Sequence, residues 1–174
     1  MTVSTTAKFL NAKNALTGTC DALVLTCIDY RYLDEIPKYL HTQKPPNMTF
    51  DHTILAGASL GLFTGVRPSW ASTFWEHLDV SIALHKIKKV FILDHRDCGA
   101  YREFKVLGPR PELGTSEFDR YYADETFIHH HYMDRVKKFV EDIHEDLHLE
   151  VITHLLPVPG EPDPCKGAAS SSGG

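Results

Sequence analysis

The stretch Lys88-Lys89-Val90-Phe91-Ile92-Leu93-Asp94-His95 opens on two cations, runs through four apolar residues and ends on an acid and a histidine. A short continuous apolar run between polar ends is the pattern of a strand buried on both faces, as in a parallel sheet. Residues 22–27 read the same way, and 52–56 and 150–156 read as two further strands. Between these runs lie helical patterns. One covers 31–40, closed by the breaker Lys44-Pro45-Pro46-Asn47, and a long one runs from a Ser69 or Ser72 cap to about Leu84. Another begins in 98–106. A charged one spans 119–147, with Phe127, Met133, Val136, Phe139, Val140 and Ile143 as its apolar marks. A further helix is expected over 5–17, around Phe9 and Leu10. Strands alternating with helices imply right-handed βαβ units, and so an α/β fold: a parallel four-stranded sheet flanked by helices.

The 174 residues carry a net charge of −5, and the number of residues suits one domain. That domain is expected over 1–160, with 161–174, rich in Pro, Gly and Ser, as a disordered tail. Lysines and arginines are scattered, which argues against a nucleic-acid partner. No apolar run approaches the ~20 residues of a membrane span. The start of the chain lacks an apolar segment after a basic one, so a cytoplasmic location is expected, or an organellar one if a transit peptide has been removed. Of four cysteines, Cys20 and Cys165 read as ordinary thiols. Cys27 and Cys98 stand beside acids and a histidine, company that points to metal or catalysis.

Both interesting cysteines fall at strand ends. The first strand finishes in Cys27-Ile28-Asp29-Tyr30-Arg31 and the third in His95-Arg96-Asp97-Cys98-Gly99. In open α/β sheets, sites form beyond the carboxyl ends of the strands. Two thiolates and an imidazole are a ligand set that Zn²⁺ favours, and three protein ligands leave a fourth position open for chemistry. Alternation along an extended segment puts Cys27, Asp29 and Arg31 on one side. A carboxylate held by a guanidinium stays ionised and fixed in direction. Taken singly, Cys27 would be a buried strand thiol and Asp29–Arg31 a surface ion pair. Their coincidence at two strand ends favours a zinc site, with Asp29 and Arg31 as its catalytic pair.

Other features read as structural. Consecutive helix residues point about 100° apart, so His129-His130-His131 reads as a solvated or interface face. Gly57-Ala58-Ser59-Leu60-Gly61 lacks a phosphate-loop pattern and reads as close backbone packing near the site. Trp70, Phe74 and Trp75 read as core or dimer contacts. His52, His77, His129 and His131 are candidate proton shuttles.

Cys27-x-Asp29-x-Arg31 with His95-x-x-Cys98-Gly99-Ala100 resembles the β-class carbonic anhydrases, and the likeness extends through 74–83 and 87–93. The resemblance implies reversible hydration of carbon dioxide to bicarbonate by zinc-hydroxide attack, one Zn²⁺ per chain, and homodimers or higher multiples of dimers. Related enzymes that hydrolyse carbonyl sulfide or carbon disulfide use the same trio. The family's Arg-Asn-Ala-Gly stretch reads Ile54-Leu55-Ala56-Gly57 here, which is expected to make the cleft wall apolar and unwelcoming to bicarbonate. The interval from Cys27 to His95 is stretched, and the last strand ends in Leu155-Leu156-Pro157-Val158 rather than the family's usual finish. A rival of another class is a non-catalytic zinc or bicarbonate-sensing module, in which Asp29 takes the fourth position permanently. A thiol-redox role for Cys98 is disfavoured by the lack of a C-x-x-C pair.

Overall fold

A computed structural model of the chain describes residues 18–45, 48–65 and 67–161. Four strands, β1 (Ala22–Thr26), β2 (Phe50–Ile54), β3 (Lys89–His95) and β4 (Glu150–Leu156), form one sheet in the order β2-β1-β3-β4. Every neighbouring pair is parallel. Four helices connect them: α1 (Glu35–His41), α2 (Pro68–His85), the short α3 (Gly99–Glu103) and α4 (Ser116–Ile143). The expected architecture is therefore the observed one.

All five residues of β1 are buried, which is what its unbroken apolar run requires of a central strand. Alternate side chains serve two cores. Leu23 and Leu25, with Val90 and Ile92, meet Phe74 and Leu78 of α2 and Met133, Val136 and Val140 of α4. Ala22 and Val24, with Phe91 and Leu93, meet Ile36 and Leu40 of α1 and the buried Tyr32. Burying each large apolar side chain contributes about 1.5–3 kcal/mol, which holds the helices to both faces. Thr26 lies opposite Leu93, and β3 continues to His95, where it pairs with Leu156. The ends of β1 and β3 thus open onto the same edge of the sheet.

Several local expectations are corrected. The long helix starts at Pro68 after Arg67, not at Ser69 or Ser72; proline's fixed φ suits the first helical position, where its missing N–H costs nothing. Residues 31–40 divide into a 3₁₀ turn, Tyr30–Tyr32, and α1. Helix α4 starts earlier than expected, with Thr115 Oγ1 accepting the N–H of Phe118 at 3.1 Å. Its buried face is Phe118, Tyr121, Glu125, His129, Met133, Val136 and Val140, whereas Phe127, Phe139 and Ile143 are exposed. No helix among the described residues is long and apolar enough to cross a membrane. The helix expected over 5–17, Cys165 and all but Glu161 of the expected tail lie outside the described residues.

Candidate metal centre

Cys27 is the residue directly after β1, His95 is the last of β3, and Cys98 precedes α3. Their ligand atoms all lie within 4.8 Å of one another. The two sulfurs are 3.8 Å apart, far beyond a disulfide bond. It is the separation that two 2.3 Å zinc–sulfur arms at a tetrahedral angle would give, about 3.8 Å. His95 Nδ1 bonds the carbonyl of Arg96 at 2.9 Å. That bond, with Nδ1 as donor, leaves the Nε2 lone pair free, and Nε2 is buried with no hydrogen-bond partner among the described residues. A ligating histidine is held in this way, one nitrogen fixed by a carbonyl and the other aimed at the ion. The donor set therefore fits a zinc ion.

The thiols are electrostatically unequal. The hydrogen bond with Cys98 pulls the Cys27 thiol down to about 4 against the opposing effect of burial, helped by His95 and by the N–H of Gly57. Cys98 is pushed up, because it shares a proton with Cys27 and because it is buried. Burial works against a charged His95, and the neighbouring Cys27 thiolate outweighs it, so His95 is raised. Two sulfurs and one imidazole nitrogen converging within 4.8 Å of one another suit a cation. The N–H of Gly57 donates to Cys27 Sγ at 3.2 Å. Gly57 has φ +79°, and a Cβ there would sit 3.2 Å from that of Ala100, so glycine is required for this approach. The expected backbone packing of the 57–61 segment near the site is what the structure has.

Asp29 caps the 3₁₀ turn, accepting the N–H of Arg31 at 3.1 Å. It also takes the Arg31 guanidinium on both oxygens, through Nε at 3.0 Å to Oδ1 and a terminal nitrogen at 2.7 Å to Oδ2. This hydrogen bonding holds the carboxylate below its ordinary range. Asp29 Oδ2 stands 3.9 Å from His95 Nε2, beside the three-ligand group and not within it. The other edge of Arg31 is held by Asp97, whose side chain accepts at 2.8 Å and whose carbonyl accepts at 2.9 Å.

A second polar cluster supports the centre from behind. Asp94, fully buried, accepts from the Ser59 N–H at 3.0 Å, the Ser59 hydroxyl at 2.6 Å, the Tyr101 hydroxyl at 2.7 Å and His129 Nδ1 at 2.8 Å. Burial opposes its charge, and these donors overcome that and hold its pKa down. Glu125, also buried, pairs with Arg96 at 3.0 Å and accepts the N–H of Asp97 at 2.7 Å. The tyrosine Tyr32 donates to the Arg96 carbonyl at 2.8 Å and packs its ring 4.1 Å from that of His95. The sequence reading missed these residues. His129 is not on a solvated face but wholly buried. The signal was present in the spacing Glu125, His129, Met133, Val136 and Val140, which is helical and one-sided.

The centre opens into a cavity of about 560 Å³. Ile28, Tyr30, Ala56, Ala100 and Phe104 form its apolar wall, with Asp29, Arg31 and Glu103 as its charged groups. The wall is apolar, as expected, but Ile54 and Leu55 are not what make it so. Leu55 is buried in the core and Ile54 does not line the cavity; the side chain from this stretch is that of Ala56. None of the four candidate shuttle histidines lines it either. His52 bonds Thr26 Oγ1 at 2.6 Å, His129 faces Asp94, and His77 and His131 are exposed on helices. Trp70 and Trp75 are partly buried against the core, Trp70 edge-on to Phe104 and Trp75 edge-on to Phe74.

Three comparisons show what the chain is similar to. A family model described as "Putative carbonic anhydrase" matches residues 17–107, the span that contains Cys27, Asp29, Arg31, His95 and Cys98. An uncharacterized protein of Rickettsia conorii is 32% identical over 138 residues, covering 79% of this chain and 68% of that protein. An uncharacterized protein of Rickettsia bellii is 33% identical, covering 79% and 77%. Among solved structures, the apo form of a carbon disulfide hydrolase superposes with a TM-score of 0.46 at 14% identity, covering 91% of this chain and 88% of that one.

Proposed function

The chain belongs to the carbonic anhydrase family that this model describes, and from that premise we propose that it is a zinc enzyme catalysing the reversible hydration of carbon dioxide to bicarbonate. The observation that carries this reading is the carboxylate of Asp29, locked by Arg31 and standing 3.9 Å from His95 Nε2. With Asp29 beside the three residues and not among them, a bound zinc would keep one position for chemistry, as catalytic rather than structural sites do. Cys27, His95 and Cys98 would hold one ion per chain. Bound there, zinc would supply Lewis acidity and make a water acidic enough to act as nucleophile near neutral pH.

The chain's own residues then do the following. Asp29 accepts a hydrogen bond from the attacking water, and the Arg31 fork leaves it little freedom of direction, so the water's lone pair is aimed into the cavity. The apolar wall of Ile28, Ala56, Ala100 and Phe104 receives a neutral linear molecule. A carbon–oxygen bond forms at its carbon as one carbon–oxygen π bond opens onto its oxygen, the water's proton leaves, and bicarbonate results. An anion meets few donors on that wall, so bicarbonate binds weakly and saturation in the reverse direction is poor. No described histidine lines the cavity, so the proton passes to solvent or buffer through the open mouth. The edges of the sheet at β2 and β4 suit a homodimer or a multiple of dimers.

A second reading, hydrolysis of carbonyl sulfide or carbon disulfide at the same centre, is favoured by the size and apolarity of the cavity. Stopped-flow rates with carbon dioxide and with carbonyl sulfide on one zinc-loaded preparation decide between them. We expect the higher kcat/KM for carbon dioxide. Fully loaded protein that turns over neither would instead identify a non-catalytic zinc or bicarbonate-sensing module.

A further inference from the structure

Asp97 lies between the ligands His95 and Cys98, yet its side chain does not face the cavity. All of its polar groups are engaged. Its Oδ2 accepts from Arg31 at 2.8 Å, its Oδ1 accepts from Arg102, and its carbonyl accepts from Arg31 at 2.9 Å. Its N–H donates to the buried Glu125 at 2.7 Å. The backbone at Asp97 has φ +56°, a left-handed conformation uncommon for a side-chain-bearing residue outside Asn, Asp and Gly. The turn thus presents both the carbonyl and the carboxylate of one residue to the same guanidinium.

Arg31 is about one third exposed, so water competes for its N–H groups. Asp29 grips one edge of the guanidinium and Asp97 the other, and a planar fork held along two edges cannot swing into solvent. Freed of Asp97, the Arg31 guanidinium would keep only Asp29, and Asp29 Oδ2 would be left to that mobile group while Oδ1 keeps the Arg31 backbone N–H. The carboxylate has little distance to travel. Its Oδ2 is 3.9 Å from His95 Nε2, whereas two such ligands on one tetrahedral ion with ~2.0–2.1 Å arms stand about 3.4 Å apart.

We propose that Asp97 is a positioning residue which, through Arg31 and with Arg102 as its counter-ion, holds Asp29 off the fourth coordination position. This inference rests on the zinc reading above. Arg102 and Glu125 fix Asp97 from two sides, so the control reaches from α4 through the ligand turn to the centre. The arrangement also explains why an acid occupies a left-handed position between two metal ligands.

The test uses cobalt-substituted protein, azide as the probe, and the visible cobalt spectrum as the readout. Azide needs the fourth position, so closure by Asp29 weakens its binding. Asp97→Asn removes the charge while tolerating φ +56°, and Asp97→Gly removes the carboxylate while easing the backbone. Both should bind azide at least about tenfold more weakly than the wild type, the size expected for a lost charge-assisted hydrogen bond. Adding Asp29→Ala to either should restore the wild-type affinity, which damage to the turn would not allow. Unchanged azide affinity in both single variants overturns the proposal, as does a loss that Asp29→Ala fails to restore. Wild-type protein that takes up no cobalt overturns the metal reading and this inference with it; the failures are therefore distinguishable.

Discussion

Asp94 and His95 are consecutive residues of β3 and point to opposite faces of the sheet, and each sits in a different kind of polar cluster. On the side of α4, Asp94 is met by Ser59, Tyr101 and His129, and both its oxygens accept hydrogen bonds. On the other, His95 joins Cys27 and Cys98 with its Nε2 unpartnered and a cavity in front. Asp94, with both oxygens bonded, specifies the fold; His129 Nε2 beside it is unpartnered like His95 Nε2, but only His95 has two thiols close enough to share an ion with it. One strand thus carries scaffold and chemistry on adjacent residues.

The largest effect should come from exchanging damage between these clusters. Asp94→Ala leaves Ser59, Tyr101 and His129 without their acceptor inside the core. A loss of about 3–5 kcal/mol is expected from breaking such a buried charged network. Urea unfolding would measure it, and the variant that still folds should take up metal. Cys27→Ser, His95→Ala and Cys98→Ser should behave inversely, losing metal and turnover while keeping the far-ultraviolet circular dichroism of the native sheet. Asp94→Ala protein as stable as wild type but stripped of metal would erase the distinction.

Next in size is the Asp29–Arg31 pair, which on the proposed reading serves the chemistry without holding the ion. Asp29→Ala should retain zinc and lose about 10²-fold in kcat, in the range for a group that handles a proton in the transition state. Arg31→Ala should act in the same direction by freeing Asp29. Carbon dioxide hydration rates beside elemental analysis of the same samples would check both.

Smaller still is the acid response. Asp29, Asp94 and Asp97 all have their pKa lowered in the fold, each held down by its donors. A depressed carboxylate pKa means that the unfolded chain binds more protons, so stability rises with pH through this window. Their contribution should be complete above the ordinary carboxylate value of 3.8 and fade as pH falls below it. Urea midpoints of metal-free protein should fall from pH 6 to about pH 4, because the lowered Cys27 thiol adds its own slope there, and go on falling to pH 3 as the carboxylates protonate. The drop should be shallower in Asp94→Asn than in wild type.

The scaffold was legible where sequence pattern and burial coincide. The run 22–27 reads as a strand and Ala22–Thr26 is one, buried throughout, because a central strand between two layers must be apolar almost throughout. That Cys27, His95 and Cys98 come together with Asp29 and Arg31 beside them was legible because metal chemistry favours these residue types at strand ends. The interior cluster was not, since Asp94, Glu125 and His129 are polar residues on core-facing positions and a pattern rule sends polar residues to the surface. His129 was further disguised by His130 and His131, which are exposed. Leu55 shows the opposite failure. A likeness of position suggested a cleft wall, while the turn into Gly57 carries Leu55 to the core and leaves Ala56 at the cavity.

Zinc K-edge X-ray absorption on purified wild-type protein, with elemental analysis of the same sample, tests the division between the two clusters most directly. One zinc per chain is expected, with two sulfur neighbours near 2.3 Å and two nitrogen or oxygen neighbours at about 2.0–2.1 Å. One of the lighter pair is His95, and the other should be exchangeable for azide. A centre with four sulfurs, or protein that remains free of zinc when offered it, would contradict the assignment of Cys27, His95 and Cys98.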